Sequence, residues 1–249
     1  MNERSKARWF ASSWAGLLAI LFISLAVAWP ELTQPGLLNT RGGGDSPFLL
    51  QRLHQLETAV LQGHFPVRWM PDANYGYGYP FYNFYAPLSI YITFFFCVLG
   101  FVFVWAIHLS YLLGYVVASW GMLCLARGVL GSRWAGLLAA AAYTVAPFHL
   151  VNVYVRGDSL AEFWAMAFYP LVILAADGLF GGGQRQVALF ALAYAALILS
   201  HNISALIFSP FLLLYLLLRF LFLPRRARRT PRNNPNLQYP LSTLLFSLI

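Results

Sequence analysis

Residues 86–126 form a run of 41 positions without a single Asp, Glu, Lys or Arg. Similar apolar runs recur along the 249-residue chain, which is 60% hydrophobic and only 10% charged. Soluble domains are nearer half apolar and a quarter charged, and a compact domain of this size still exposes much surface to water. Apolar helices of about 20 residues cross the hydrocarbon core of a bilayer. The sequence therefore predicts an all-α, polytopic transmembrane protein in contact with membrane lipid.

Basic residues are concentrated in short clusters between the apolar runs. The net charge of +8 would raise the question of a nucleic-acid partner in a soluble protein. The clusters at 4–8, 127–133 and 225–232 instead have the placement of topology determinants, because arginine and lysine collect in the cytoplasmic loops of membrane proteins. We therefore predict no nucleic-acid partner.

The first apolar segment is predicted to anchor the chain with its N-terminus in the cytoplasm. Trp9–Trp29 follows a basic cluster, as in an uncleaved signal anchor. The small residues at 26–28 also permit cleavage as a signal peptide, and this alternative stays open. In either case the next segment lies outside the cytoplasm, so a large first outer loop is expected at about 30–105.

Charge bias indicates how often residues 86–126 cross the membrane. Two crossings would place the basic clusters at 127–133 and 225–232 outside, whereas one crossing places both with the N-terminal cluster. The positive-inside rule favours one crossing, at about 106–126. Residues 86–105 are then expected at the outer interface or dipping into it, packed against protein.

Four further crossings complete the predicted transmembrane module, which covers residues 1–223. They are placed at 134–150, 162–180, 187–200 and 203–223. Residues 224–240 are predicted to form a basic cytoplasmic loop. Residues 241–249 begin another apolar run that is too short to cross, so we expect a further C-terminal part.

Two segments of the outer loop have recognisable patterns. Between Ser46 and Leu61 the apolar residues recur at helical spacing after a Ser-Pro start, which predicts a short amphipathic surface helix. The aromatic, glycine-rich run at 74–85 is typical of an interfacial belt. Its rings and phenols also suit a sugar-binding surface, with Tyr79 and Tyr82 as candidate contacts.

This topology gathers polar side chains on the outer side of the membrane. Charged groups at membrane depth are costly and usually functional, so we predict a site there. Its candidate residues are Asp45, Arg156, Asp158, Glu162, His201 and Asn202.

Each of these residues also has a purely structural interpretation. Asp45 is a suitable N-cap for the helix that follows it. Arg156 and Asp158 can form a loop salt bridge of little energetic value. Glu162 can mark the point where a helix leaves the membrane, and His201 can make a hydrogen bond between helices.

Four groups of residues carry a resemblance to known families: Gly44-Asp45, Tyr77-Gly78-Tyr79-Pro80 with Asn83-Phe84-Tyr85, Val155-Arg156-Gly157 with Ala161-Glu162-Phe163, and Ser200-His201-Asn202. They resemble bacterial membrane proteins named for a "6-pyruvoyl-tetrahydropterin synthase-related" domain, although no zinc-binding histidine set of the soluble synthases is present. The order of the segments resembles the N-terminal module of GT-C-type glycosyltransferases, which use polyprenyl-phosphate-linked sugars.

The resemblance implies roles for the candidate residues. Asp45 matches the first-loop carboxylate, which acts as general base or orients the acceptor, and Asp158 or Glu162 matches the second-loop acid. A departing lipid phosphate needs cationic stabilisation, for which Arg156 and then His201 are the candidates. No cofactor is implied; a divalent metal on the carboxylates is compatible with the family, but their spacing does not indicate one.

The predicted function is therefore transfer of a sugar from a polyprenyl-phosphate donor to an extracytoplasmic acceptor at the bacterial inner membrane. A non-catalytic transporter, lipid-handling protein or assembly scaffold is the alternative. Transporters commonly show repeats and broken helices with polar residues near the midplane, whereas the ionisable residues here lie at the ends of the predicted spans.

Overall fold

The computed structural model describes residues 3–37, 46–157 and 159–222, with side chains from residue 15 onward. Its regular structure is helical apart from an isolated antiparallel bridge between Met70 and Tyr79. The helices are α1 (Glu3–Thr33), α2 (Ser46–Leu61), α3 (Phe81–Phe84), α4 (Leu88–Val98), α5 (Phe103–Leu130), α6 (Arg133–Thr144), α7 (Pro147–Leu150, continued by a π-helical turn at Val151–Val155), α8 (Leu160–Leu179), α9 (Gln184–Ser200) and α10 (Asn202–Phe222).

Several of these segments are long and apolar enough to cross a membrane. Within the described residues there are five: Ala15–Thr33, Phe103–Leu130, Arg133–Val155, Leu160–Leu179 and Asn202–Phe222. They confirm the prediction of an all-α, multi-pass membrane protein.

The long apolar run at 86–126 is divided into two helices of unequal length. A turn at 99–102, in which Gly100 has a φ of +95°, separates α4 from α5. The 11 residues of α4 rise about 16 Å, well short of the ~30 Å hydrocarbon core. The 28 residues of α5 exceed that thickness. The run therefore contains one helix of crossing length, α5, and one short helix, α4, packed against it. The bounds of α5 extend beyond the predicted 106–126.

The next crossing segment is longer and less regular than the predicted 134–150. Ser132 caps α6 by accepting a hydrogen bond from the Ala135 amide, and α6 ends before Pro147. Proline disfavours the helical conformation of the residue before it, and Ala146 is accordingly extended, with a ψ of 135°. The chain then resumes as α7 and its π-helical turn. This extension places Arg156 directly after the last turn of the segment.

The predicted boundary near His201 is confirmed. His201 has an extended backbone (φ −157°, ψ 104°) and separates α9 from α10. The 17 residues of α9 rise about 26 Å, so this segment is the shortest of the predicted crossings.

The centre of the bundle is built around α5, which packs against α1, α6 and α8. Small residues on α5 allow the close approach of α8, because a Cβ at Gly114 would lie 2.3 Å from the ring of Phe163. Tyr111, Tyr115 and Trp164 are buried in the same core. A second, smaller apolar cluster joins α8, α9 and α10.

The segment predicted to form the outer loop folds onto one end of this bundle. The helix predicted between Ser46 and Leu61 is present with those bounds, and its buried face includes Leu49, Leu53 and Leu56. Downstream, the side chain of Gln55 donates to the Asp72 carboxylate (3.0 Å) and accepts from its backbone amide (2.8 Å). These bonds hold the loop that follows α2 against that helix.

Candidate functional site

Two segments that are far apart in the sequence meet at the outer-loop end of the bundle. The hydroxyl of Ser46, the first residue of α2, donates a buried hydrogen bond of 3.0 Å to the backbone carbonyl of Gly157. Asp45 and Asp158, the two predicted loop carboxylates, lie outside the described residues. Their chain neighbours are the two ends of this hydrogen bond.

Arg156 is held by a short-range ion pair. Its Nη1 lies 2.5 Å from Oε2 of Glu162, in the first turn of α8, and 3.2 Å from Oδ1 of Asn152 in the π-helical turn. The Arg156 side chain is nevertheless 48% exposed. The structure thus pairs this guanidinium across the turn with Glu162 and leaves part of it accessible from outside the bundle.

His201 lies at the junction between α9 and α10, and one of its ring nitrogens is hydrogen-bonded. Its Nδ1 accepts from the backbone amide of Ser204 (3.3 Å) and lies 2.6 Å from the Ser204 hydroxyl. Since Nδ1 accepts a hydrogen bond from an amide, the proton of the neutral ring is on Nε2. Burial lowers the pKa of His201; the Glu162 carboxylate opposes this shift, whereas Arg156 adds to it. The three side chains therefore share one electrostatic environment.

Asn202 connects the site to the aromatic loop. Its amide nitrogen donates to the backbone carbonyl of Phe84 (3.2 Å), and its amide oxygen accepts from the backbone amide of Ile203 (2.9 Å). The bond to Phe84 holds the end of the loop on the start of α10, and the bond to Ile203 is local. Both are structural contacts.

The two tyrosines proposed as sugar contacts have different environments. Tyr82 is buried, and its hydroxyl donates a 2.6 Å hydrogen bond to the backbone carbonyl of Arg52. It therefore packs inside the loop rather than lining its surface. Tyr79 is partly exposed, and its backbone pairs with that of Met70 in the antiparallel bridge. Tyr79 remains the candidate for an external ligand.

Arg52 is a functional candidate that the sequence analysis did not identify. Its guanidinium lies 4.9 Å from the ring centroid of Phe81 and 5.7 Å from that of Tyr85, two rings that are stacked on each other. A cation over aromatic faces is stabilised by the ring quadrupole. In the sequence Arg52 appears only as a polar position of an amphipathic helix, so no local pattern indicates this contact.

Metal binding has no support within the described part of the chain. Among residues 15–37, 46–157 and 159–222, no group of three or more His, Cys, Asp or Glu side chains is placed to hold a metal ion. The metal site that the family resemblance would allow involves Asp45 and Asp158, which lie outside those ranges.

Comparison with known proteins adds a distant relative. No family model matches the chain, and no solved structure matches it. A protein of Lactococcus lactis subsp. cremoris, described as an uncharacterized protein, is 28% identical over 216 residues, which are 80% of this chain and 33% of that relative. The chain thus spans about a third of the length of the curated relative it matches.

Proposed function

We propose that this protein is a membrane glycosyltransferase that moves a sugar from a polyprenyl-phosphate donor to an acceptor on the outer face of the bacterial inner membrane, with its N-terminus in the cytoplasm. The observation that carries the proposal is the hydrogen bond between Ser46 and Gly157. Asp45 and Asp158 are the chain neighbours of the two residues in this bond, and consecutive Cα atoms are about 3.8 Å apart. One region would then contain a carboxylate from each outer loop.

In this proposal Asp45 is the general base. It removes the proton of the acceptor hydroxyl, and the acceptor oxygen then attacks the anomeric carbon of the sugar. The bond between that carbon and the phosphate oxygen breaks, and its electron pair leaves with the lipid phosphate. Glu162 is already paired with Arg156, so we assign it to positioning that arginine and assign the second-loop carboxylate to Asp158.

Arg156 is the proposed partner of the departing phosphate. Its contacts with Glu162 and Asn152 both use Nη1. Nη2 and Nε, which have no hydrogen bond to any side chain among the described residues, offer the paired N–H edge that binds phosphate bidentately. The Nε2–H of the neutral His201 ring supplies a second donor nearby.

The proposal is tested by following the donor. Membrane vesicles from cells that produce the full-length protein, which retain the native acceptors, are given a panel of radiolabelled polyprenyl-phosphate hexoses, and transfer is measured as label leaving the donor lipid for another product. Asp45→Asn should reduce transfer to the background rate without loss of folded protein. Glu57→Gln, which removes a carboxylate from α2 in the same loop, is the matched control and should retain wild-type turnover.

Two outcomes would count against this function. Unchanged turnover in Asp45→Asn would remove Asp45 from the mechanism. Binding of polyprenyl phosphate by the wild-type protein without any label transfer across the panel would favour the lipid-handling alternative.

A further inference from the structure

Inside the bundle, an acidic and a basic side chain are buried against each other. Oε1 of Glu31, near the end of α1, lies 3.3 Å from Nε2 of His108, in the second turn of α5. The two side chains are 3% and 0% exposed. Both lie within segments long and apolar enough to cross the membrane. An ionisable pair buried between two such segments is costly and is usually retained for a function.

Among the described residues, the groups near this pair include the indole of Trp105, whose ring centroid lies 5.6 Å from that of His108, and several tyrosine phenols. Tyr111 and Tyr115 follow His108 along α5 and are buried in the same core. The hydroxyl of Tyr154 donates to the carbonyl of Val27 on α1 and interacts with Tyr115. His149 faces Tyr115 from α7, its Nδ1 2.7 Å from the carbonyl of Tyr143 on α6.

Among the described residues, no second charge compensates Glu31 or His108. Within the described part of the chain, the carboxylate has no arginine or lysine within ion-pair distance. An isolated ion in an apolar interior costs far more free energy than a neutral group. The pair is neutral overall only when it holds one proton, either on the imidazole beside a carboxylate or on the carboxyl beside a neutral imidazole.

The geometry favours the proton on the carboxyl. At 3.3 Å the pair is longer than a charge-assisted N–H···O bond of about 2.7–2.9 Å, and neither ring nitrogen of His108 has a hydrogen-bond partner among the described residues, so an imidazolium would carry unpaired, desolvated N–H groups. Oε2 of Glu31 also has no hydrogen-bond partner among the described residues. A carboxylate would leave a charged oxygen desolvated and unpaired, which a carboxylic acid avoids.

We propose that Glu31 and His108 form an intramembrane proton-binding site that holds one proton at neutral pH and keeps the ends of α1 and α5 packed. Glu31 lies near the end of α1, at the junction where that helix meets α5. Loss of the proton leaves an uncompensated buried carboxylate and loosens this junction. The site is independent of the proposed sugar transfer, because none of its residues belongs to the transfer site.

Infrared spectroscopy of the full-length protein tests the proton directly. At neutral pH the difference spectrum between wild type and Glu31→Gln should contain the carbonyl band of a protonated carboxylic acid. Glu57→Gln is the matched control and should remove only carboxylate bands. Carboxylate bands in place of the acid band for Glu31 would overturn the proposal.

A second variant keeps the test valid if Glu31→Gln fails to fold. His108→Gln retains a hydrogen-bonding side chain but changes the partner of the carboxyl, so the acid band should shift in frequency. An unshifted band would show that the imidazole does not share the proton. In the folded Glu31→Gln protein, melting temperature should also be insensitive to a rise from about pH 7 to about pH 9, whereas wild type should lose stability. Equal falls in the melting temperatures of wild type and Glu31→Gln would overturn the proposal.

Discussion

At the scale of single residues, the side chain of Arg156 is ion-paired with Glu162 and is also partly exposed to solvent. A surface ion pair is usually worth less than about 1 kcal/mol, so its pairing with Glu162 does little for stability. It does hold the guanidinium in one orientation at the turn that leads into α8. In a transferase this orientation matters more than the strength of the pair, because a phosphate is bound by the geometry of the N–H edge.

His201 gives a prediction about pH dependence. Its pKa is lowered by burial, so the unfolded chain takes up a proton at a higher pH than the folded one. Its contribution to stability is complete above the unfolded value of about 6.5 and is lost as the pH falls through the folded value. We expect the melting temperature of His201→Asn to fall less than that of wild type when the pH is lowered from about 7.5 to about 5.

The control for this measurement is His64→Asn, which replaces an exposed histidine of the outer loop. It should follow the wild-type pH profile. If His201→Asn follows the wild-type profile as well, burial of the imidazole does not govern acid stability.

At the scale of helices, the packing of α5 on α8 depends on one glycine. A methyl group at Gly114 would overlap the Phe163 ring, and overpacking a core typically costs about 1–3 kcal/mol. We expect Gly114→Ala to lower the melting temperature in detergent.

Gly128 of the same helix provides the comparison, because no atom lies within 4 Å of a Cβ placed there. Replacement of an unobstructed helical glycine by alanine generally adds roughly 0.5–1 kcal/mol of stability. Gly128→Ala should therefore melt at or above the wild-type temperature. Equal melting temperatures for the two variants would mean that α5 and α8 separate easily at Gly114.

At the scale of the whole molecule, polar contacts are found at opposite ends of the bundle. Arg156, Glu162 and His201 lie at one end. At the other, Arg219 of α10 binds Asp177 of α8 at 2.6 Å. Both helices thus run from the first end to the second, as the proposed topology requires.

Cysteine labelling tests that topology. In a background of Cys97→Ala and Cys124→Ala, a single cysteine replaces either His64 in the outer loop or Gln184 at the start of α9, both exposed positions. Three crossing segments separate them if α4 does not cross, so a membrane-impermeant reagent applied to intact cells should label only position 64. Labelling of both positions would mean that α4 crosses as well.

The sequence by itself determined where the helices lie. Helix formation in a membrane follows from the length of an apolar run and from the charges and prolines that bound it, which are local properties. The bounds of α2 agree with prediction because they follow from a local Ser-Pro start and helical periodicity. The junction at His201 agrees because a polar pair interrupts the apolar run there. The displaced end of α5 and the continuation of the next segment to Val155 show the limits of local patterns, because apolar residues extend past the membrane-crossing length.

Only the tertiary structure decided which side chains meet. Nothing in the sequence distinguishes a buried Tyr82 from an exposed Tyr79, and no local pattern pairs Glu31 with His108. Such contacts join residues on different elements, and they depend on the register and rotation of helices packed around close approaches such as Gly114. Packing of this kind is set by the shapes of all the side chains together, so it cannot be derived from one segment at a time.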